Sequence, residues 1–165
     1  MADLARKICL LGDFGVGKTS LVARLVRNTF SERYLTTVGV KVDSFTVPAE
    51  PRPVKLVLWD IAGKSALDAL NQTYLRGASG VVLVADGTRE PTLRAALYLL
   101  MQAKSLLQDP AAVLLVNKFD LVDRWEIQPG TLAELRKTLP VFEASARTGN
   151  GVEQAFHDIA GQVTA

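Results

Sequence analysis

The sequence is short of reactive side chains. Its 165 residues include one cysteine and one histidine. A single cysteine excludes an internal disulfide framework and fits a reducing compartment, so a cytoplasmic location is expected. Cys9 sits in the apolar run Ile8-Cys9-Leu10-Leu11, where it reads as a small buried hydrophobe rather than a nucleophile. His157 falls on the polar side of an amphipathic segment, which argues against a catalytic imidazole. Charge of one sign is scarce too: 19 basic against 17 acidic residues leave a net charge of +2. That is too little for nucleic-acid binding through a concentrated basic face, and no nucleic-acid partner is expected. No apolar run approaches the ~20 residues of a membrane helix. Residues 1–7 lack the apolar stretch of a secretory signal. The last residues, Gln162-Val163-Thr164-Ala165, hold no cysteine for a prenyl group. With 48% hydrophobic and 22% charged residues, the composition excludes a disordered tail, a collagen-like chain and a coiled coil. The length suits one domain over residues 1–165 with a self-sufficient core.

What is present is an alternation. Short apolar, β-branched runs follow longer amphipathic ones, the pattern of an α/β domain with a mostly parallel sheet. Residues 7–11 read as a buried strand. Residues 19–27 predict a helix with Leu21, Val22, Leu25 and Val26 on one face and Arg24 and Arg27 opposite. Residues 40–47 alternate strictly, as a strand exposed on one face does. Pro48, Pro51 and Pro53 then break the chain before a strand over 54–59, so one antiparallel hairpin is expected. The runs 80–85 and 111–116 predict central strands buried on both faces. Between them, residues 92–107 predict a helix with Leu93, Leu97, Leu100 and Met101 inward. A short helix over 131–138 and a short strand over 141–142 follow. The last helix starts after Gly151. It carries Val152, Ala155, Phe156, Ile159, Ala160 and Val163 on one face, with Glu153, Gln154, His157 and Asp158 turned away. The expected total is six strands and about five helices.

Two segments carry chemistry. Gly12-Asp13-Phe14-Gly15-Val16-Gly17-Lys18-Thr19 fits G-x-x-x-x-G-K-[ST] and lies between a predicted strand and a predicted helix. Glycines let the backbone turn its N–H groups toward a phosphate chain, and the helix start adds partial positive charge. Lys18 can bridge the outer phosphates and the Thr19 hydroxyl can ligate Mg²⁺. This motif alone leaves an ATPase, a nucleotide kinase and a GTPase open. Asn117-Lys118-Phe119-Asp120 narrows the choice. It follows the strand over 111–116, so it lies on the same carboxyl edge of the sheet as the phosphate loop, where open α/β sheets bind ligands. The Asp120 carboxylate can accept two hydrogen bonds from the N1–H and N2–H₂ edge of guanine, a donor pair that adenine lacks.

With both motifs in place, the chain resembles a Ras-superfamily small GTPase, most closely of the Rab branch, over nearly its whole length. Residues 34–40 (Tyr-Leu-Thr-Thr-Val-Gly-Val) resemble the Rab first switch and residues 59–63 (Trp-Asp-Ile-Ala-Gly) the start of the second. Tyr74-Leu75-Arg76-Gly77-Ala78 is similar to the stretch after that switch, and Glu143-Ala144-Ser145-Ala146-Arg147-Thr148 to the final base-binding loop. The Ala-, Leu- and Arg-rich composition suits a prokaryotic homologue. The resemblance implies the small G-domain form of the P-loop NTPase fold: six strands, one of them antiparallel, flanked by five helices. It implies GTP or GDP with Mg²⁺ as cofactors and a switch that cycles between the two nucleotide states. Residues 13–20, ending on Ser20, would cradle the phosphates, with Lys18 serving catalysis as well. Thr37 would ligate Mg²⁺ and sense the γ-phosphate, Asp60 would hold Mg²⁺ through water, and the Gly63 N–H would contact the γ-phosphate. Loss of that phosphate would release Thr37 and Gly63, and both loops would relax. Phe30 would pack edge-on against guanine and Tyr34 would cover the phosphates. Asn117 would brace the base, Asp120 select it, and the Ala146 N–H meet its carbonyl oxygen, with Ser145 in the same loop. Lys118 and Arg147 would lie along its two faces. Effector, exchange-factor and activating-protein partners would dock on residues 31–45 and 61–76.

The sequence departs from that family where water would attack. Lys64 stands where the family usually has the Gln that orients the water, and lysine can only donate. Phe14 stands where a small residue is usual, and its ring would crowd the γ-phosphate. Hydrolysis that is slow and independent of Gln is therefore expected, with Lys64 as a candidate catalytic cation. Lys41-Val42 and Ser65-Ala66-Leu67 replace the more typical Asp-Phe and Glu-Arg-Phe, so typical Rab effectors are not expected. Two readings follow: a GTP-hydrolysing switch, and a scaffold that holds nucleotide but hydrolyses almost none.

Overall fold

The structure, a computed structural model, describes residues 4–31, 39–62 and 69–165. Six strands form one sheet: β1 (Leu4–Gly12), β2 (Val40–Val47), β3 (Val54–Ile61), β4 (Gly80–Asp86), β5 (Ala111–Asn117) and β6 (Val141–Glu143). Their order is β2-β3-β1-β4-β5-β6. β2 pairs antiparallel with β3, and every other neighbouring pair is parallel. Five α-helices flank them: α1 (Lys18–Arg27), α2 (Ala69–Leu75), α3 (Glu90–Leu106), α4 (Pro129–Leu135) and α5 (Val152–Thr164). A 3-10 segment spans Phe119–Arg124. This is the predicted architecture, hairpin included.

Strand periodicity explains the layering. Side chains on a strand alternate between faces, so a central parallel strand feeds two cores. Ile8, Leu10, Val82, Val84, Val113 and Leu115 point to one side, where they meet Leu21, Phe156 and Ile159 of α1 and α5. Cys9, Leu11, Val81, Leu83, Leu114 and Val116 point to the other, where they meet Leu93, Leu99 and Leu132 of α3 and α4. Each large aliphatic side chain buried this way contributes about 1.5–3 kcal/mol. Cys9 behaves as a core hydrophobe: burial pushes its thiol up to about 12, against a smaller pull from Lys7.

The elements run slightly differently from the sequence reading. β1 begins at Leu4 because its charged start pairs with β3 from Val54 onward. There Lys7 lies over the Trp59 ring, 3.6 Å from its centre, so the charge is accommodated without entering the core. α3 and α4 begin earlier than expected, each with a proline in its first turn, where the missing N–H costs nothing. The expectation for Met101 fails: it is 60% exposed. The buried face of α3 is Thr92, Leu93, Ala96, Leu99, Leu100 and Ala103. That face is centred near Ala96 and Ala103, and at 3.6 residues per turn Met101 falls on roughly the opposite side of the helix. Leu97 is only half-buried. In α5 the predicted inward face is buried, apart from the half-buried Val163, and His157 is exposed.

This topology positions the site. β1 lies between β3 and β4, so the connections leaving it and its neighbours diverge. In open α/β sheets such a change of direction marks the place, beyond the carboxyl ends of the strands, where ligands bind. Gly12, Asp60, Asp86, Asn117 and Glu143 lie at or beside those ends.

Candidate functional site

The loop between β1 and α1 holds the first group. Gly17 caps α1 at φ 101°, a left-handed conformation that disfavours any residue with a Cβ, and no side chain caps the helix start. The positive pole of α1 is thus open to an anion. Val16 is fully buried and anchors the loop, while Phe14 and Gly15 are exposed. Asp13 Oδ1 accepts the Phe14 N–H at 2.8 Å, a contact that shapes the turn. Lys18 is 6% exposed and its Nζ donates to the Gly12 carbonyl at 3.2 Å. Burial lowers the Lys18 ammonium from its ordinary value, against the pull of Asp60 and Asp13. A cation held in a dry loop against a backbone carbonyl is one that a phosphate oxygen would draw away.

Thr19 Oγ1 donates to Asp60 Oδ2 at 2.5 Å, joining the start of α1 to the end of β3. A hydroxyl beside a buried carboxylate is a pair of hard oxygen donors. It fits Mg²⁺, which takes one or two protein oxygens and leaves its other positions to phosphates and water. No group of three or more His, Cys, Asp or Glu that could hold a metal occurs among the described residues, so an all-protein cage is not offered there. Ser20, the next residue of α1, is half-buried.

The second group is a set of loops on the same edge. Asn117 is 2% exposed and bridges them. Its Nδ2 donates to Val16 O at 3.0 Å, and its Oδ1 accepts the Ala146 N–H at 3.1 Å. The N–H that the resemblance assigned to guanine is therefore bonded to Asn117 here. Asp120 is exposed, and its Oδ1 accepts from Ser145 Oγ at 2.7 Å, which sets the plane of the carboxylate. Ser145 Oγ also accepts the Thr148 N–H at 3.1 Å, so one buried hydroxyl ties the two loops together. Lys118 takes a left-handed backbone, φ 72°, and its Nζ reaches Gly15 O at 3.3 Å. Phe30 is half-buried and packs on the core shared by α1 and α5. Tyr34, Thr37, Gly63 and Lys64 lie outside the described residues, as do residues 65–67.

Several residues of this site were not singled out by the sequence. Arg24, expected on the solvated face of α1, donates through Nε to Ala146 O at 2.8 Å and through Nη2 to Arg147 O at 2.6 Å. Trp125 donates through Nε1 to Lys118 O at 3.1 Å and stacks edge-on with Phe119. Asp86 and Arg89 stand between the two groups. Asp86 had a signal: a carboxylate ending an apolar strand must find partners at the carboxyl edge. Arg24 had none, because polarity on a helix does not reveal which loop lies above it.

The Ras family sequence model matches residues 7–165. The chain belongs to the Ras family. Among its relatives, the GTP-binding protein ypt1 of Schizosaccharomyces pombe is 34% identical over 164 residues, which is 98% of this chain and 81% of that protein. The Ras-related protein Rab-1 of Theileria annulata is 36% identical over 163 residues, 96% of this chain and 74% of that one. Within the Ras family the chain stands on the Rab branch, as a small GTPase with the P-loop NTPase fold. Among the described residues no helix of this Ras-family chain is long and apolar enough to cross a membrane.

Proposed function

We propose that this protein is a single-domain GTP/GDP switch that selects guanine through Asp120 and hydrolyses GTP slowly. The observation carrying this reading is the convergence around Asn117, whose amide bonds both the phosphate loop at Val16 and the base loop at Ala146. A purine diphosphate set along this edge would meet the α1 pole and Lys18 at one end and the Asp120 carboxylate at the other. Thr19 and Asp60, with Thr37 in the GTP state, would hold Mg²⁺, which would neutralise phosphate charge. Asn117 would then keep the two loops in register, and the exposed oxygens of Asp120 would accept from the guanine edge. Cytoplasmic partners would read the nucleotide state through residues 31–45 and 61–76.

The slow rate is argued from two side chains. Lys64 cannot accept from water while donating to phosphate, as an amide can. Phe14 is 55% exposed on the loop between β1 and α1, and a ring there would take space that an attacking water or a partner's arginine would need. Unassisted turnover is expected at or below about 3–5 × 10⁻⁴ s⁻¹, the intrinsic rate of Ras. The scaffold reading shares the binding residues and rests on Phe14 and Lys64 alone.

The test begins with labelled GDP on the purified chain. GTP and GDP are expected to displace it and ATP is not; displacement by ATP as readily as by GTP would remove the role of Asp120. Chelation of Mg²⁺ is expected to speed release, and a rate indifferent to chelator would count against Thr19. Single-turnover phosphate release is then compared for the parent, Lys64→Gln, Phe14→Gly and the double variant. The double is expected to gain more than the two singles combined, since both act on one water. A parent rate well above the Ras value that Lys64→Gln abolishes would make Lys64 a built-in cationic finger. No turnover in any of the four would favour the scaffold.

A further inference from the structure

Asp86 ends β4 at 1% exposure, and nothing above assigns it a function. A carboxylate taken out of water needs partners. Its Oδ1 accepts the Thr88 N–H at 2.9 Å and Thr88 Oγ1 at 2.6 Å. Its Oδ2 faces two cations, Arg89 Nε at 3.1 Å and Lys118 Nζ at 2.9 Å. Both cations also reach the phosphate loop. Arg89 Nη2 donates to the Phe14 carbonyl at 2.9 Å, and Lys118 Nζ to the Gly15 carbonyl at 3.3 Å. One buried carboxylate thus holds, by two arms, the carbonyls of two successive residues.

The turn that carries Asp86 has little room to move. The Gly87 N–H donates to Asn117 O at 3.0 Å, and the Gly87 carbonyl accepts the Glu126 N–H at 2.9 Å. Trp125 lies so close that a Cβ at Gly87 would stand 2.2 Å from its Cε2. The same indole donates to Lys118 O. The position of Asp86 is therefore referred to the base loop.

Peptide geometry supplies the consequence. In a trans peptide the C=O and the following N–H point in opposite directions. A Phe14 carbonyl held toward Arg89 turns the Gly15 N–H the other way. A Gly15 carbonyl held toward Lys118 does the same for the Val16 N–H. We propose that Asp86 and Arg89 are positioning residues that orient the Phe14–Gly15 peptide, so that the loop's N–H groups face the bound phosphates. The proposal rests on the reading that this loop binds phosphate. Arg89 suits the task because its fork serves Asp86 and Phe14 at once, which a lysine point charge cannot do equally well.

The experiment measures GDP release and GMP affinity for the full chain with Mg²⁺, in the parent, Arg89→Ala, Arg89→Lys and Asp86→Asn. Arg89→Ala is expected to speed GDP release about tenfold, the scale of one charge-assisted hydrogen bond, and Arg89→Lys to lie between it and the parent. GMP keeps the α-phosphate but lacks the β-phosphate that the Gly15 and Val16 N–H groups would face, so its affinity is expected to change by no more than about twofold. The ¹⁵N–¹H resonance of Gly15 in the GDP complex is expected to move in Arg89→Ala. Asp86→Asn is expected to do at least as much; should it fail to fold, the exposed Arg89 still carries the test. Unchanged GDP release in Arg89→Ala overturns the proposal, as does an equal change for GDP and GMP. A parent that binds no GDP overturns the nucleotide reading itself, and this proposal with it.

Discussion

The two ends of the proposed nucleotide site, one for phosphate and one for the base, are built in opposite ways. The phosphate end is one contiguous segment, residues 12–19, between β1 and α1. Its parts are backbone groups, a left-handed glycine and a lysine that folds back on its own loop. The base end has no such continuity. It draws Asn117 and Asp120 from the end of β5 and beyond it, Ser145 and Ala146 from the loop before α5, and Arg24 from α1. Its parts are side chains. A site made of backbone needs only the right local sequence, whereas one made of side chains needs a sheet to bring distant segments together. Asn117 is where the two constructions meet.

That contrast can be broken at several points. The largest effect is expected from Asp120→Asn, which attacks the base end alone. GTP affinity should fall by on the order of a hundredfold or more, as in sites built to pair with ligand donors, while a xanthine nucleotide gains. Competition against labelled GDP decides it, and an equal loss for both bases would show that the carboxylate does not read the base. Next comes Gly17→Ala, which strikes both ends. A Cβ there would sit 2.3 Å from Asn117 Nδ2, at a backbone φ of 101°. Strain plus the displaced amide should cost about 3 kcal/mol of stability, measured by urea unfolding, and GDP titration should weaken alongside.

Arg24→Ala sharpens the comparison from the base side. It removes donors to Ala146 O and Arg147 O. GDP should bind about tenfold more weakly, and protection by pyrophosphate, which touches only the phosphate end, should hold. If pyrophosphate weakened equally, the two ends would not be separable. The smallest effect is expected from pH. Burial raises the Asp86 carboxyl, but the Thr88 hydrogen bonds and Lys118 outweigh it and hold the group below its ordinary 3.8. Its contribution to stability is thus complete above that value and is lost as the pH falls through the lower folded-state value. Melting curves of the parent between pH ~5 and ~2 should therefore drop more steeply than those of Asp86→Asn.

The degree to which the site could be read from the chain follows the same division. The place of residues 12–19, between β1 and α1, was legible, because a glycine-rich turn into a helix is a local motif whose geometry follows from its own glycines. Asn117 and Asp120 were legible as candidates. Their partners were not: Ser145 on Asp120, the Ala146 N–H on Asn117 instead of a ligand, and the Arg24 guanidinium on the Ala146 and Arg147 carbonyls. Met101 failed for a related reason. Hydrophobicity placed it inward, while the buried face runs through Ala96, Leu99 and Ala103, on the other side of the helix from it.

The one-dimensional pattern was enough for the number and kind of strands, the antiparallel hairpin, and the placing of the segments 12–19 and 117–120 at the carboxyl ends of β1 and β5. Each of these depends on periodicity or on neighbours within a few positions. The links between loops came from the fold: Asp86 with Arg89 and Lys118, Trp125 against Gly87, Arg24 with the carbonyls of Ala146 and Arg147. Those pairs are set by strand order and by the angle at which each helix leaves the sheet. Such long-range distances arise only when the two cores pack, and no local spacing in the chain encodes them.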